Sequence, residues 1–420
     1  MRVAVAAEWY PSPADPVLGI WAHRQAQAAQ RAGAEVRVLA MRRPLPPLAA
    51  ARAALSLPPR TEPLRAWAAG VRSSLRPWTL DDVAIEPVAW VAPPRPLTYG
   101  VWGRWMAPPL ARALDALHER WPFDVLHAHC VTPPGYAAAR WVERRRAGDR
   151  PALVVSAHGP DMIHVYRRSR WARRDAERAL RTADLVAANS GWAANRCEQI
   201  ARGPLPVRVL HLGADLPPLP DPAQRAAAQR APTVVTVAHL VERKRHGLVL
   251  RALARLPREL AWAYEVIGEG PCRAPLERLA GELGIAERVR FRGQLDHADA
   301  LAALARCDLF AMPGVEEPFG VAFVEAMAAG LPAIGTSGEG GPEDIAAAGP
   351  GLELVPREEE AAVTALAGLL ETLLGDRDER LRRGAAARAT VERRFTWERC
   401  GAETVARYRE AVALARGAAR

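Results

Sequence analysis

Lysine is all but absent from this chain. Of the 57 Lys and Arg residues among its 420, Lys244 in "LVERKRHG" is the single lysine. Arginine drift at interchangeable positions raises the isoelectric point without adding charge, so the net charge of +10 is the quantity that bears on partners. Cysteine is sparse as well. The five cysteines, Cys130, Cys197, Cys272, Cys307 and Cys400, are scattered and odd in number. No C-x-x-C pair occurs, which excludes the usual zinc and dithiol motifs and fits a reducing cytoplasm. Long apolar runs are missing: nothing approaches the roughly 20 residues that span a bilayer. The N-terminal apolar run is too short for a signal-peptide core and is cut by Glu8 and Pro11, so it reads as a first buried strand. The expected location is the cytoplasm, with at most peripheral contact at the inner face of the membrane.

What remains is an ordinary globular composition, half hydrophobic and a quarter charged. Short β-type runs alternate with helix-length segments from the start: "RVAVAA", "AEVRVLA", "DVLHAH", "ALVVSAH", "DLVAAN" and "VRVLHL". A proline-rich stretch, 213–232, interrupts the pattern. It then restarts with "TVVTVAHL", "AYEVIG", "RVRFRG", "DLFAMP", "LPAIGT" and "LELV" before a helical end. Such alternation implies α/β architecture with parallel sheets covered on both faces. The expected division is 1–212, a linker 213–232, 233–395, and a C-terminal helix 396–420. Two doubly wound domains facing an interdomain cleft follow, because ligands sit beyond the carboxyl ends of such strands.

Two basic stretches stand apart. Residues 41–78 carry seven arginines against the single acid Glu62, and "YRRSRWARRDAER" covers 166–178. They read either as solvated surface or as an amphipathic face for an anionic membrane or acidic acceptor. No base-reading module accompanies them, so nucleic acid is not an expected partner.

The chemistry concentrates in "GVEEPFGVAFVEAMAAGLP", where seven residues separate Glu317 from Glu325. The pattern predicts a helix from near Phe319 to the stop at Gly330-Leu331-Pro332. Glu317 then lies in the preceding loop, and the backbone N–H groups of Phe319, Gly320 and Val321 are available to a ligand. Glu325 sits on the helix, where a carboxylate can accept hydrogen bonds from a vicinal diol such as a ribose. Lys244 has two readings: a leftover of arginine drift, or a place where a compact ammonium differs from a planar guanidinium. His127-x-His129 is read as projecting to opposite faces of its strand with no third ligand nearby, hence as structural rather than metal-binding.

At these residues the chain resembles a family 4 glycosyltransferase, retaining and sugar-nucleotide-dependent, of the GT-B fold. The resemblance covers nearly the whole length: the opening loop with Gly19, "DVLHAH", "SAHGPD", "VAANS", the spaced glutamates, "GEGGPEDI" and the closing "RFTWERCGAETVARYREAV". It implies that Glu317 faces the donor sugar, that Glu325 binds the ribose, and that Lys244 holds the diphosphate. His239 stands where the family has an arginine, which turns attention to Arg243 or Arg245 as its substitute. His158 matches the histidine that contacts the sugar near the anomeric carbon. The base is expected near Gly293 to Leu295, recognised mostly through backbone. The resemblance also implies a helix returning to the N-terminal domain and a nucleoside-diphosphate sugar donor. No cofactor and no metal are needed, the lysine doing what a divalent cation does elsewhere. A glycan, lipid-linked or small-molecule acceptor completes the reading. Its rivals are a sugar-nucleotide epimerase on the same scaffold and a membrane-associated binding module without catalysis.

Overall fold

The computed structural model describes residues 1–46, 55–56, 61–93, 98–146, 149–159, 169–219 and 231–417. The chain forms two compact units. The first comprises Met1–Asn189, Ala193–Leu210 and Cys400–Arg420, and the second Ser190–Trp192 and His211–Arg399. The change of unit thus falls at Leu210–His211 rather than inside 213–232, and residues 213–219 of that stretch belong with the second unit. The C-terminal segment joins the first unit from Cys400 onward, not from 396.

Among the described residues the first unit is built on eight strands, β1 (Arg2–Ala7), β2 (Glu35–Arg42), β3 (Trp78–Leu80), β4 (Val83–Ala89), β5 (Val125–His129), β6 (Ala152–Ala157), β7 (Leu185–Ala188) and β8 (Val207–Val209). Their order in the sheet is β3-β4-β2-β1-β5-β6-β7-β8. All neighbours are parallel except β3 and β4. The central strands β5, β6 and β7 are buried along their whole length, the mark of a sheet covered on both faces. β3 and β4 were not expected. Glu86 and Pro87 interrupt the apolar run of β4, and β3 has only three residues, so neither carries a strong local signal.

The helix Trp397–Gly417 crosses into this unit's core, burying Val405, Tyr408, Ala411 and Ala415 at three- and four-residue spacing. A Cβ on Gly401 would lie 2.2 Å from the carbonyl oxygen of Ala28, so only glycine lets this helix run so close to the helix Ile20–Arg31.

Among the described residues the second unit carries six parallel strands: β9 (Thr233–Val237), β10 (Ala263–Ile267), β11 (Val289–Gly293), β12 (Leu309–Ala311), β13 (Ala333–Thr336) and β14 (Leu352–Val355). Their order is β11-β10-β9-β12-β13-β14. Its core joins Val234, Tyr264, Leu309 and Ile334 to the leucines of the helix Glu359–Gly375.

In each unit the chain begins at a central strand, winds outward to one side, and returns to the other. The strand order therefore reverses between β1 and β5 and between β9 and β12. Loops leaving the carboxyl ends of those strands splay apart at such a point and open space for a ligand.

Candidate functional site

The candidate residues fall into two groups, one in each unit, gathered at its reversal except for Gly293 to Leu295, which lie at the end of the edge strand β11. In the second unit, the loop after β9 ends in a single turn, Glu242–Lys244, followed by Arg245 at φ 53 and the helix His246–Ala254. The loop after β12 carries Glu317. The two are stitched together by the Val315 N–H donating to the Arg243 carbonyl at 2.8 Å. The Lys244 ammonium then meets the Glu317 carboxylate in a direct ion pair, with Met312 Sδ at 3.6 Å. Both residues are buried, 9% and 8% exposed. Burial pushes the Lys244 pKa down, Arg243 pushes it further, and Glu317 opposes both.

Arg243 lies 3.8 Å from the same carboxylate oxygen, whereas Arg245 turns away to donate to the Arg357 carbonyl at 2.7 Å. Of the two substitutes considered for His239, only Arg243 stands at Lys244 and Glu317. His239 itself is exposed.

The glutamate loop is held from below by glycines. The Gly341 N–H donates to the Glu317 carbonyl at 3.2 Å, and a Cβ on Gly341 would sit 2.1 Å from the Phe319 Cα. The Glu316 N–H donates to the Glu339 carboxylate, which Arg357 meets at 3.0 Å. The helix runs Val321–Ala328, two residues later than expected, because Gly320 adopts a left-handed φ of 87° just before it. The amides of Phe319 and Gly320 therefore belong to the loop. The Phe319 ring points inward, stacked on His211 at 5.6 Å between centroids, and no side chain caps the helix start.

Glu325 has a partner that sequence reading missed: His297 Nε2 at 2.7 Å from its Oε1. His297 opens the helix His297–Arg306, two residues beyond Leu295 in the loop after β11. The stretch Gly293 to Leu295 and Glu325 are thereby brought together through this histidine. Gly293 has φ 73, and a Cβ there would lie 3.2 Å from Glu269 Oε1.

In the first unit, Gly19 caps the helix Ile20–Arg31 at φ 73, and a Cβ on it would lie 2.3 Å from the Trp9 carbonyl. Two residues on, Trp21 packs against His158 at 4.1 Å and against His129 at 5.5 Å between ring centroids. His158 Nε2 is 3.0 Å from His129 Nδ1.

The opposite-faces reading of His127 and His129 is corrected here. Residues two apart on a strand share a face, and the rings lie 4.3 Å apart between centroids, with His158 as a third neighbour. Both nitrogens of His127 are engaged, by Tyr408 Oη at 2.8 Å and Ser156 Oγ at 2.7 Å. Among the described residues no group of three or more His, Cys, Asp or Glu side chains is arranged to hold a metal ion. Burial pushes the pKa of His127 and of His158 down to about 3, and that of His129 well below its ordinary value.

Comparison with solved structures defines the class. The chain superposes on sucrose-phosphate synthase from Thermosynechococcus elongatus with a TM-score of 0.75 at 19% identity, covering 98% of this chain and 100% of that one. It superposes on Anabaena HepE, solved with UDP and glucose, with a TM-score of 0.68 at 22% identity, covering 97% and 100%. The architecture is the GT-B fold. Residues 18–218 match the model of Glycosyltransferase Family 4, and residues 220–390 that of Glycosyl transferases group 1. The chain belongs to this family, the group 1 glycosyltransferases of family 4.

Among curated relatives, a GDP-mannose-dependent alpha-(1-6)-phosphatidylinositol monomannoside mannosyltransferase of Mycobacterium tuberculosis is 34% identical over 198 residues, 44% of this chain. The match spans half of that relative's length. The D-inositol 3-phosphate glycosyltransferase of Mycobacterium marinum is 29% identical over 322 residues, 71% of this chain and 66% of the relative.

The buried histidines set a pH response. His127, His129 and His158 stay neutral in the folded unit, while in the unfolded chain they gain a proton near 6.5. Below that pH the unfolded state binds more protons, so stability is lost as pH falls from about 6.5 toward 3. The slope is up to roughly 1.4 kcal/mol per pH unit for each histidine. Urea unfolding followed by tryptophan fluorescence between pH 7.5 and 5.5, above the carboxylate range, checks this. A midpoint that does not move would contradict it. Ten of the thirteen tryptophans lie in the first unit, so the signal reports mainly on it.

Proposed function

We propose that the chain transfers a sugar from a nucleoside-diphosphate sugar to an acceptor hydroxyl, with retention of anomeric configuration and without a metal ion. The carrying observation is the single lysine of the sequence, buried against Glu317 where the second unit's strand order reverses. When a sugar leaves its nucleotide, negative charge grows on the departing phosphate, and a preorganised cation aimed there lowers the barrier. Lys244 fills that role in this reading, with Arg243 beside it as the second cation in place of His239. Glu317 orients the ammonium and faces the transferred sugar.

Glu325 receives the ribose. Its Oε1 is engaged by His297, and its Oε2 has no partner among the described residues. The loop amides at Phe319 and Gly320 and the first helical amide, Val321, are donors for phosphate or sugar oxygens. Gly293 to Leu295 take the base, while Gly19 and His158 serve the phosphate and the sugar. Among the described residues no carboxylate stands out as a covalent nucleophile, so the reading has the acceptor attack from the face the leaving group departs, the phosphate itself taking the acceptor proton. GDP-mannose and UDP-glucose are the first donors to test, since they are named for a curated relative and for a structural neighbour.

Thermal stabilisation by UDP, GDP, ADP and TDP, each with and without EDTA, checks the donor site. A nucleotide at 100 times its dissociation constant adds about 2.7 kcal/mol, and the shift is expected with one base and to survive EDTA. Lys244→Met should lower turnover roughly 100- to 1000-fold, the magnitude for one oxyanion contact. Removing one partner of a buried pair is itself destabilising, so Lys244→Met with Glu317→Gln serves as a charge-balanced control that should fold and remain inactive. Near-normal turnover in either variant would sink the assignment. The anomeric configuration of the product, read by NMR, is expected to match the donor; an inverted product would end the retaining version, and an isomerised donor formed without acceptor would favour an epimerase.

The acceptor in this reading is lipid-linked, carried by an anionic membrane surface. Among the described residues, no helix is long and apolar enough to cross a membrane. What supports surface contact is Trp171, 44% exposed at the start of the helix Arg170–Thr182, with the guanidinium groups of Arg104, Arg170 and Arg174 within 5.5 Å of its ring centroid at 5.3, 5.1 and 5.4 Å. Trp105, 40% exposed, follows Arg104 in the neighbouring helix Gly103–Arg120. Tryptophan and arginine together suit the headgroup region. Cosedimentation with phosphatidylglycerol vesicles should exceed that with phosphatidylcholine vesicles and fall in Trp171→Ala; equal binding to both would contradict it.

A further inference from the structure

The loop leaving β11 and the helix that carries Glu325 are joined at a side-chain contact. The loop is pinned at both ends. The Gly268 N–H donates to the Gly293 carbonyl at 2.9 Å, and the Asp296 carboxylate accepts from the Asp299 N–H at 2.8 Å, capping the helix His297–Arg306. His297 is therefore held in place as the first helical residue, and its Nε2 lies 2.7 Å from Glu325 Oε1 on the helix Val321–Ala328. Both side chains keep access to solvent, 20% for His297 and 14% for Glu325. Glu325 Oε2 has no partner among the described residues, and it is not one of the chain's fully buried unpaired atoms.

An ionised carboxylate only accepts hydrogen bonds, so the proton in this contact lies on His297 Nε2. Glu325 otherwise has its side-chain torsions to settle, and ordering so flexible a chain costs entropy. The His297 bond settles them before a ligand arrives and leaves Oε2 as the open acceptor. A ribose offers two neighbouring hydroxyl donors to such a carboxylate. His297 also follows closely on the loop Gly293 to Leu295, with only Asp296 between. The residue that steadies the ribose acceptor thus belongs to the segment read as holding the base. If the bond were only a tie between two helices, its loss would affect every ligand alike, and a half-exposed pair contributes little to folding. A positioned carboxylate matters only to a ligand that carries ribose hydroxyls.

We propose that His297 is a positioning residue for ribose recognition: it donates from Nε2 to Glu325 Oε1 and so holds Oε2 where a ribose hydroxyl donates to it. The base loop and the ribose carboxylate are thereby kept in register, and the site selects ribonucleotides over deoxyribonucleotides. This deepens the transferase reading above and rests on it for the ribose role of Glu325.

Titration calorimetry with UDP and GDP, and with their 2′,3′-dideoxy counterparts, tests it. In the intact chain the nucleotide that binds should do so about 10- to 100-fold more tightly than its dideoxy counterpart, the range for a hydrogen bond to a charged group. His297→Leu should remove most of that preference by weakening the ribonucleotide and leaving the dideoxy Kd unchanged. His297→Gln places an amide nitrogen near the lost Nε2 and should restore most of it. Glu325→Ala should lose the preference, and adding His297→Leu to it should cost nothing further. In turnover with UDP-glucose or GDP-mannose, KM for the donor should rise in His297→Leu with kcat little changed.

An unchanged preference in a His297→Leu protein that melts like the intact chain would overturn the proposal. So would equal weakening of the ribonucleotide and its dideoxy counterpart, or the same loss in the Leu and Gln variants with both still folded by their melting curves. An intact chain that binds no nucleoside diphosphate would count against the donor-site reading itself and take this proposal with it. A preference for ribonucleotides that depends on Glu325 but not on His297 would leave that reading standing and end this proposal alone.

Discussion

A lysine ammonium buried against a glutamate carboxylate is the constraint around which the second unit's loops are arranged. Both groups lose water, and the pair is tolerable only if the geometry is held and the remaining polar atoms are served. The surrounding backbone holds that geometry from three directions: Val315 to Arg243, Glu316 to Glu339, and Gly341 to Glu317. A guanidinium in place of Lys244 would bring five N–H donors to a space whose recorded partners are Glu317 and Met312. Among the arginines of this chain, that is a physical reason for one position to keep lysine.

The parallel sheets decide where such a group can be placed. Each sheet starts at its centre and reverses direction once, so loops that are far apart in the chain emerge side by side. Lys244 and Glu317 follow β9 and β12, the neighbours at one reversal; Gly19 and His129 follow or end β1 and β5, the neighbours at the other. Glycine at 19, 320 and 341 then permits what no side chain would: a left-handed turn into a helix at the first two, and contact of one loop's backbone with another's at the third.

The two groups differ electrostatically. The second unit's group is charged and paired, its cation held by a carboxylate and flanked by Arg243. The first unit's group is a set of neutral imidazoles, kept neutral by burial and joined through Tyr408 to the C-terminal helix. A charge-stabilising function suits the former, and directional hydrogen bonding the latter.

Sequence by itself determined the alternating architecture, because strands covered on both faces must read as apolar runs and helices as longer segments between them. It also determined the candidate positions Lys244, Glu317 and Glu325, since a lone lysine and two glutamates with seven residues between them are visible without coordinates, while His158 came through the family resemblance. Tertiary structure alone decided the pairings. His297 meets Glu325 across 28 residues, His129 meets His158 across 29, and Lys244 meets Glu317 across 73. The diversion of Arg245 to the Arg357 carbonyl, 112 residues away, is of the same kind. Such contacts are set by which strands lie side by side and by the glycines that let loops touch. Local periodicity carries information over one or two turns of chain, and the order of strands in a sheet is settled by packing over the whole unit.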